Sequence, residues 1–195
     1  MKSMMKLVTL ISLAVVALAP TFLRAQAPPD PAKIIEAQRE SMKALAFMDG
    51  VWRGEAWVYL PSGQRQSLIQ TERIGPFLGG SVKVIEGRGH DADGSVLFNA
   101  LGVISFDVAT GAYSMRSYAD GRWGDFDLEL KEDGYVWRIP AGPATIRYTA
   151  VVQEGRWREI GERIVGDGEP VQFFEMNLER LGDTDWPSAG AVSPE

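Results

Sequence analysis

Apolar and polar residues alternate along most of this chain with a period of two. In the segment 49–63, DGVWRGEAWVYLPSG, one side collects Trp52, Gly54, Ala56 and Val58, and the other side is mixed. Successive side chains of a β-strand point to opposite faces, so this pattern predicts a strand with one apolar face. That face should look towards either a solid core or a cavity.

Short strand-like runs continue to about residue 181, and turn residues such as Asp93-Gly94 and Asp120-Gly121 separate them. We count about ten runs, spaced roughly 8 to 14 residues apart. Strands joined by hairpin turns indicate an antiparallel meander, which removes its unpaired edges by closing on itself. We therefore predict an all-β fold: an antiparallel up-and-down barrel over residues 49–181.

The segment 28–48 predicts a proline-rich linker followed by one N-terminal α-helix. Asp30 can cap the first turn, and Pro31 suits the first helical position because its missing N–H would have no partner there. Ile34, Met42 and Leu45 share one stripe, so the helix should pack against the barrel. The polar tail 182–195 is predicted to be disordered, apart from docking by Trp186.

The first 27 residues have the pattern of a secretory signal peptide. Lys2 and Lys6 precede an apolar run over residues 7–19, and Ala25-Gln26-Ala27 fits a cleavage site. The run is too short to cross a bilayer, which needs about 20 residues. We expect cleavage after Ala27, no membrane insertion afterwards, and a periplasmic or secreted product. The chain has no cysteine for a lipid anchor or a disulfide framework.

Removal of residues 1–27 would leave 168 residues, enough for one domain with a sizeable core. These residues contain 17 basic and 26 acidic side chains, a net charge of −9. Nucleic acids and anionic membrane surfaces require a basic patch, and the sequence contains no run of lysine or arginine that would form one. We expect no nucleic-acid partner.

Two motifs carry a resemblance to a known group of barrels. Gly50-Val51-Trp52 matches the G-x-W that opens the first strand of lipocalins and their calycin relatives, and Arg180 stands where those barrels pack a basic residue across the tryptophan. The runs FMDGVWRGEA, LGVISFDVATGAYSMRSYADGRW and FFEMNLERL resemble the bacterial DUF1579 family, whose function is unknown. The resemblance implies a calycin-like barrel and carries over no catalytic residue.

Residues with catalytic or metal-binding chemistry are scarce. The single histidine, His90, falls at a hairpin turn, where it is badly placed to hold haem or to join a serine in a triad. The neighbouring acids lack the spacing of a calcium loop. We therefore expect no catalytic residue, no metal site and no cofactor.

A barrel of about ten strands is too wide for side chains to fill completely, so we expect a partly open lumen. Arg and Glu occur on both faces of the run 156–165, and the sequence leaves open which face points inward. Charges inside a barrel need each other or a ligand. The residues predicted to bind a ligand are Trp137, Tyr148, Arg158, Glu162, Phe174 and Met176.

Three hypotheses follow for function. The first is an exported protein that binds a small apolar or amphipathic molecule in the lumen. The second is a hydrolase or isomerase that uses buried Glu and Arg in the same lumen. The third is a plugged structural barrel that meets a partner, for example in a homodimer, through the outer-face aromatics Trp57 and Tyr59.

Overall fold

The computed structural model describes residues 30–188 and residue 192. The predicted signal peptide, 1–27, lies outside the described residues. Helix α1 (Pro31–Met42) continues into a 3-10 helix (Lys43–Met48), and a second 3-10 turn covers Leu78–Gly80. The strands are β1 (Gly50–Tyr59), β2 (Arg65–Phe77), β3 (Val82–His90), β4 (Val96–Asp107), β5 (Ala112–Ala119), β6 (Arg122–Lys131), β7 (Gly134–Ala141), β8 (Ala144–Gln153), β9 (Arg156–Val165) and β10 (Val171–Gly182).

All ten strands belong to one closed antiparallel barrel. Each strand pairs with its neighbours in sequence, and β1 completes the circle by pairing with β10. Ala56 of β1, for example, lies opposite Met176 of β10 and opposite Leu68 of β2. The predicted fold, an all-β up-and-down barrel with one N-terminal helix, is confirmed. No helix among the described residues is long and apolar enough to cross a membrane.

The period-two alternation of the first strand corresponds to its two faces in the barrel. Trp52 and Ala56 are buried, whereas Arg53 and Glu55 between them are exposed. The pairing register extends this assignment from strand to strand, because directly opposed residues point to the same side of a sheet. The space enclosed by the inward-facing residues is called the lumen below.

Helix α1 and the 3-10 helix close one end of the barrel. Leu45 and Met48 are completely buried, and Trp52 beside them is 1% exposed. The Tyr113 hydroxyl donates a hydrogen bond to the Ser41 carbonyl, 2.6 Å away, and so ties the helix to β5. This closed end is a solid apolar core.

The start of α1 is as the sequence predicts. The Asp30 side chain accepts a hydrogen bond from the Ala32 N–H at 3.0 Å, and Pro31 is the first helical residue. Further along, the Gln38 side-chain amide donates to the Phe106 carbonyl of β4 at 3.2 Å. The helix therefore packs on the barrel rather than extending from it.

Trp52 and Arg180 are opposed in the pairing of β1 with β10, as the calycin resemblance implies. The Trp52 indole N–H donates to the Met48 carbonyl at 2.9 Å. Arg180 donates from Nε and Nη2 to the Asp49 carbonyl at 3.2 and 3.1 Å. The cation–π contacts among the described residues do not include Arg180 with Trp52, so the predicted stacking is replaced by hydrogen bonds that fasten the entry into β1.

Gly50 is required by this closure. Its φ of +131° is a conformation that L-residues rarely adopt, and a Cβ there would lie 2.6 Å from the Gly182 carbonyl oxygen. The glycine of the G-x-W motif therefore lets β1 begin against the end of β10.

Residues 186–188 contact β2, so the predicted disorder of 182–195 does not extend to this part of the tail. The Trp186 ring lies under the Arg73 guanidinium, 4.4 Å from ring centroid to Cζ. The Ser188 hydroxyl donates to the Pro76 carbonyl at 3.2 Å. The docking by Trp186 that the sequence suggested therefore occurs. Residues 189–191 and 193–195 lie outside the described residues.

Candidate functional site

Aromatic side chains line one side of the lumen. Trp137 of β7 and Tyr148 of β8 are directly opposed, and their rings stack with centroids 4.4 Å apart. The Phe126 ring lies 5.8 Å from Trp137, and the Phe174 ring lies 6.0 Å from Tyr148. All four residues face inward but remain partly exposed, so solvent enters the lumen from the end opposite α1.

A glycine and a bulge let the aromatic rings come together. The pairing of β10 with β9 shifts register between Gln172 and Phe174, which leaves Phe173 in the bulge with its ring 6.0 Å from Tyr148. A Cβ on Gly161 would lie 2.8 Å from the Tyr148 ring. The absence of a side chain at this position therefore makes room for Tyr148.

Small side chains occupy the middle of the inward faces of β4 and β5. In the barrel order, β4 lies five strands from β9 in either direction. Ala100 and Gly102 of β4 face inward and are opposed by Ala119 and Ser117 of β5. Small residues across from large aromatic rings leave more space than two aromatic walls would.

A groove of about 650 Å³ lies at the open end. The β1–β2 turn contributes Tyr59, Leu60 and Pro61, and strands β8, β9 and β10 contribute Ile146, Arg163 and Phe173, among others. Phe173 connects the groove to the aromatic wall, which consists of Phe126, Trp137, Tyr148 and Phe174, because its ring lies 6.0 Å from the Tyr148 ring.

Glu159 is buried below the aromatic wall. Its Oε2 accepts a hydrogen bond from the Tyr135 hydroxyl at 2.8 Å, and its Oε1 accepts one from the Trp137 indole N–H at 3.3 Å. Burial raises the pKa of the Glu159 carboxyl, and these donors lower it in part. The buried Trp157 indole N–H makes no hydrogen bond of normal geometry among the described residues. Its N–H dipole still favours the ionised Glu159 carboxylate, and so it also lowers the pKa of Glu159.

Glu72 of β2 is a second carboxylate in the lumen, 8% exposed. Its Oε1 accepts a hydrogen bond from the Gln70 side-chain amide at 2.7 Å. Burial raises the pKa of Glu72 to about 8, and the negative charge of Glu159 acts in the same direction. The Glu72 carboxyl group lies against Gly87 of β3, where a Cβ would come within 2.6 Å of Oε1.

The two carboxylates form an acidic site, Glu72 and Glu159, with Gln70, Tyr135 and Trp137 as hydrogen-bond donors. Burial of two acids in one lumen favours protonation of a carboxyl group or a bound cation. None of the ion pairs among the described residues involves either acid. A protonated carboxyl can donate a hydrogen bond, and an ionised one can hold a cation or act as a base.

Arg158 and Glu162 do not face the lumen, contrary to the expectation that they would orient a ligand there. Arg158 pairs with Glu175 at 2.9 Å, and Glu162 pairs with Arg147 at 2.8 Å, all on the outer face. The inward face of β9 instead carries Trp157, Glu159, Gly161 and Arg163. The outer arrangement keeps both charges near water and in pairs, which is less costly than burial.

The other predicted ligand residues do project into the lumen. Trp137, Tyr148 and Phe174 belong to the aromatic wall, and Met176, 4% exposed, lies opposite Glu159 in the register. Sequence analysis missed Gln70, Glu72, Tyr135 and Glu159. Gln70 and Glu72 lie on the same strand face as the apolar residues Leu68 and Ile74. The alternation of β2 therefore offered a signal that these two polar residues point inward.

The remaining candidates lie outside the lumen. His90 ends β3, and its Nδ1 lies 3.3 Å from the Gly94 carbonyl in the β3–β4 turn. Trp57 and Tyr59 form an edge-to-face pair at 5.4 Å on the outer face of β1, and Arg65 covers the Trp57 ring at 4.5 Å. A homodimer through these aromatics stays a prediction.

Comparison with known proteins supports the fold alone. No protein-family model matches the chain, and no curated protein sequence matches it, so the resemblance to the DUF1579 family stays a prediction. The crystal structure of Rv2717c from M. tuberculosis is similar, with 11% identity over 72% of this chain and 96% of that one and a TM-score of 0.55. The S-type phycobiliprotein lyase CPES from Guillardia theta aligns with 12% identity over 80% of this chain and 99% of that one, with a TM-score of 0.49. The likeness to Rv2717c therefore agrees with the barrel architecture of this chain.

Proposed function

We propose that this protein is an exported binding protein that holds a small apolar or amphipathic molecule in its lumen. The apolar part of the ligand would lie on the aromatic wall of Trp137, Tyr148, Phe126 and Phe174. Its polar end would reach the acidic site deeper in the barrel. Export rests on the signal-peptide pattern of residues 1–27, and the test is a mature N-terminus at residue 28 in the periplasmic or extracellular fraction.

One observation carries the binding proposal. The rings that line the lumen face inward and yet remain partly exposed, whereas the closed end is completely buried. Large aromatic side chains that stay in contact with water inside a barrel gain free energy when an apolar ligand covers them, at about 25 cal/mol per Å². A barrel that served only as a structural unit would gain stability by filling this space.

The experiment is a fluorescence titration with N-phenyl-1-naphthylamine, an apolar probe that is uncharged near neutral pH. Two variants of adjacent residues on β4 form a matched pair. Ala100→Trp places a large ring inside the lumen, and Leu101→Trp places the same ring on the outer face, where Leu101 is 40% exposed. Circular dichroism checks that both variants are folded.

We expect saturable binding of one probe per chain, with affinity at least about tenfold weaker in Ala100→Trp and unchanged in Leu101→Trp. Probe fluorescence that does not saturate, or that the two variants affect equally, would overturn the proposal, because binding would then occur outside the lumen. Mass spectrometry of a solvent extract of the purified chain would identify the class of any natural ligand.

A second candidate function is catalysis in the same lumen. The specific observation that favours it is the buried Glu72 carboxyl, which has one side-chain hydrogen bond, from Gln70, and whose pKa burial raises to about 8, in the range useful for a general acid or base near neutral pH. The chemistry would be a hydrolysis or isomerisation without a covalent nucleophile. Turnover of an ester, lactone or epoxide panel that Glu72→Gln abolishes would support it, and absence of turnover across the panel would remove it.

A further inference from the structure

The lumen contains two buried carboxyl groups and, among the described residues, no basic group at the same depth. Glu72 and Glu159 are 8% and 6% exposed. The basic residues at inward-facing positions lie at the two ends of the barrel, with Lys83 and Arg180 at the closed end and Arg122 and Arg163 at the open rim. Lys83 is already paired with Asp49.

Glu72 also has an unused acceptor. Its Oε1 accepts from Gln70, whereas its Oε2 accepts no hydrogen bond from any described side chain or backbone group. Burying an ionised carboxylate without a counter-charge costs roughly several kcal/mol of free energy. The group avoids this cost by taking up a proton or by pairing with a cation. A free carboxylate oxygen inside a solvent-accessible lumen is therefore a position for a hydrogen-bond donor that carries positive charge.

The aromatic wall meets the acidic site directly. Trp137 donates its N–H to Glu159 and stacks its ring on Tyr148. A cation is attracted to the face of an indole or phenol ring as well as to a carboxylate. Aromatic rings next to unpaired carboxylates thus suit a ligand with an apolar body and a protonated nitrogen.

We propose that the lumen selects amphipathic amines, whose ammonium group is held by Glu72 and Glu159 while the apolar body lies against Trp137 and Tyr148. This inference rests on the proposed function and specifies the ligand class. An ammonium group can pair with a glutamate that gives up its proton, whereas a fatty acid or other carboxylate would find no basic group beside the two glutamates, and its charge would oppose their ionisation. The lumen should therefore discriminate by the charge of the head group.

The test compares three probes with the same twelve-carbon chain: dodecylamine, dodecanol and dodecanoate. Each is titrated against bound N-phenyl-1-naphthylamine on the full chain at pH 7.5, with every probe below its solubility limit and the two charged probes below their critical micelle concentrations. We expect the amine to bind at least about tenfold more tightly than the alcohol, and the alcohol more tightly than the carboxylate. Equal affinities, or tighter binding of dodecanoate, would overturn the amine inference while leaving lumen binding intact.

If none of the three compounds displaces N-phenyl-1-naphthylamine, and the probe itself shows no lumen-dependent binding, the proposed function has failed.

Two variants locate the residues that select for the amine. Glu72→Gln and Glu159→Gln should each reduce the preference for amine over alcohol by at least about fivefold. Glu162→Gln, on the outer face of the same strand as Glu159, should retain the full preference. Loss of the preference in Glu162→Gln alone would place the amine outside the lumen.

Discussion

Tyr135 donates its hydroxyl hydrogen bond to Glu159 across 2.8 Å inside the barrel, from strand β7 to strand β9. Tyr135→Phe would leave the apolar ring in place and remove this donor from a buried acceptor. We expect a loss of about 1 to 3 kcal/mol in the free energy of unfolding, because the acceptor keeps its desolvation cost. Urea denaturation at pH 7.5 measures it. Tyr59→Phe, at a residue 47% exposed, is the control and should change stability by less than about 0.5 kcal/mol. Equal losses in both variants would contradict the role assigned to this hydrogen bond.

The pKa of Glu72 makes stability depend on pH. In the folded protein the Glu72 carboxyl group keeps its proton up to a pKa of about 8, whereas in the unfolded chain it loses the proton near the ordinary pKa of 4.5. The folded state therefore binds more protons between these values, so the free energy of unfolding falls as pH rises through this window.

Glu72→Gln should remove most of that dependence. Between pH 5.5 and 8.5 the group contributes a decrease of about 3 kcal/mol, at 1.36 kcal/mol per pKa unit. Urea denaturation at both pH values should show the variant gaining stability over the parent chain as pH rises. Glu55→Gln, exposed on the outer face of β1, should follow the parent chain. A variant as pH-dependent as the parent would show that Glu72 is not the titrating group.

Gly50→Ala should be strongly destabilising. The added Cβ would meet the Gly182 carbonyl oxygen at 2.6 Å in a backbone conformation unsuited to alanine. We expect a loss of about 2 to 4 kcal/mol in the free energy of unfolding. Gly63→Ala separates the two causes, because Gly63 also has a positive φ but a Cβ added there would meet no heavy atom within 4 Å. A loss in Gly50→Ala no larger than that in Gly63→Ala would mean that the close approach of the strands is unimportant.

The outer ion pair of Arg158 with Glu175 should matter little for either stability or binding. The Arg158 side chain is 56% exposed, and exposed pairs contribute about 0 to 1 kcal/mol. Arg158→Gln should leave the affinity for N-phenyl-1-naphthylamine within about twofold. A much weaker affinity in this variant would mean that the lumen is not where the probe binds.

Local patterns were sufficient for the architecture. The alternation around Trp52 and Ala56 identified the inward face of β1, and Asp93-Gly94 identified the turn between β3 and β4. Both signals act within a few residues, so they do not depend on the rest of the fold. The helix start at Asp30 and Pro31 was predictable for the same reason.

The acidic site was not predictable in this way. On β9, each face carries arginine, glutamate and apolar residues, so alternation could not decide whether Glu159 or Glu162 points inward. The pairing of Ala150 with Glu159 and of Glu159 with Met176 decides it, because the neighbouring strands already bury those partners. Gln70 and Glu72 on β2 are assigned inward by their pairing with β1 and β3 in the same way.

The sequence by itself therefore determined that this chain forms an antiparallel barrel with an aromatic lumen, since a period of two and turn residues are local properties. Only the tertiary structure decided which charges enter the lumen and which stay outside. Glu72 and Glu159 are 87 positions apart in the chain, and closure of β1 on β10 places their strands, β2 and β9, three strands apart around the barrel with both glutamates facing inward. Burial and mutual repulsion of their carboxyl groups are consequences of that closure.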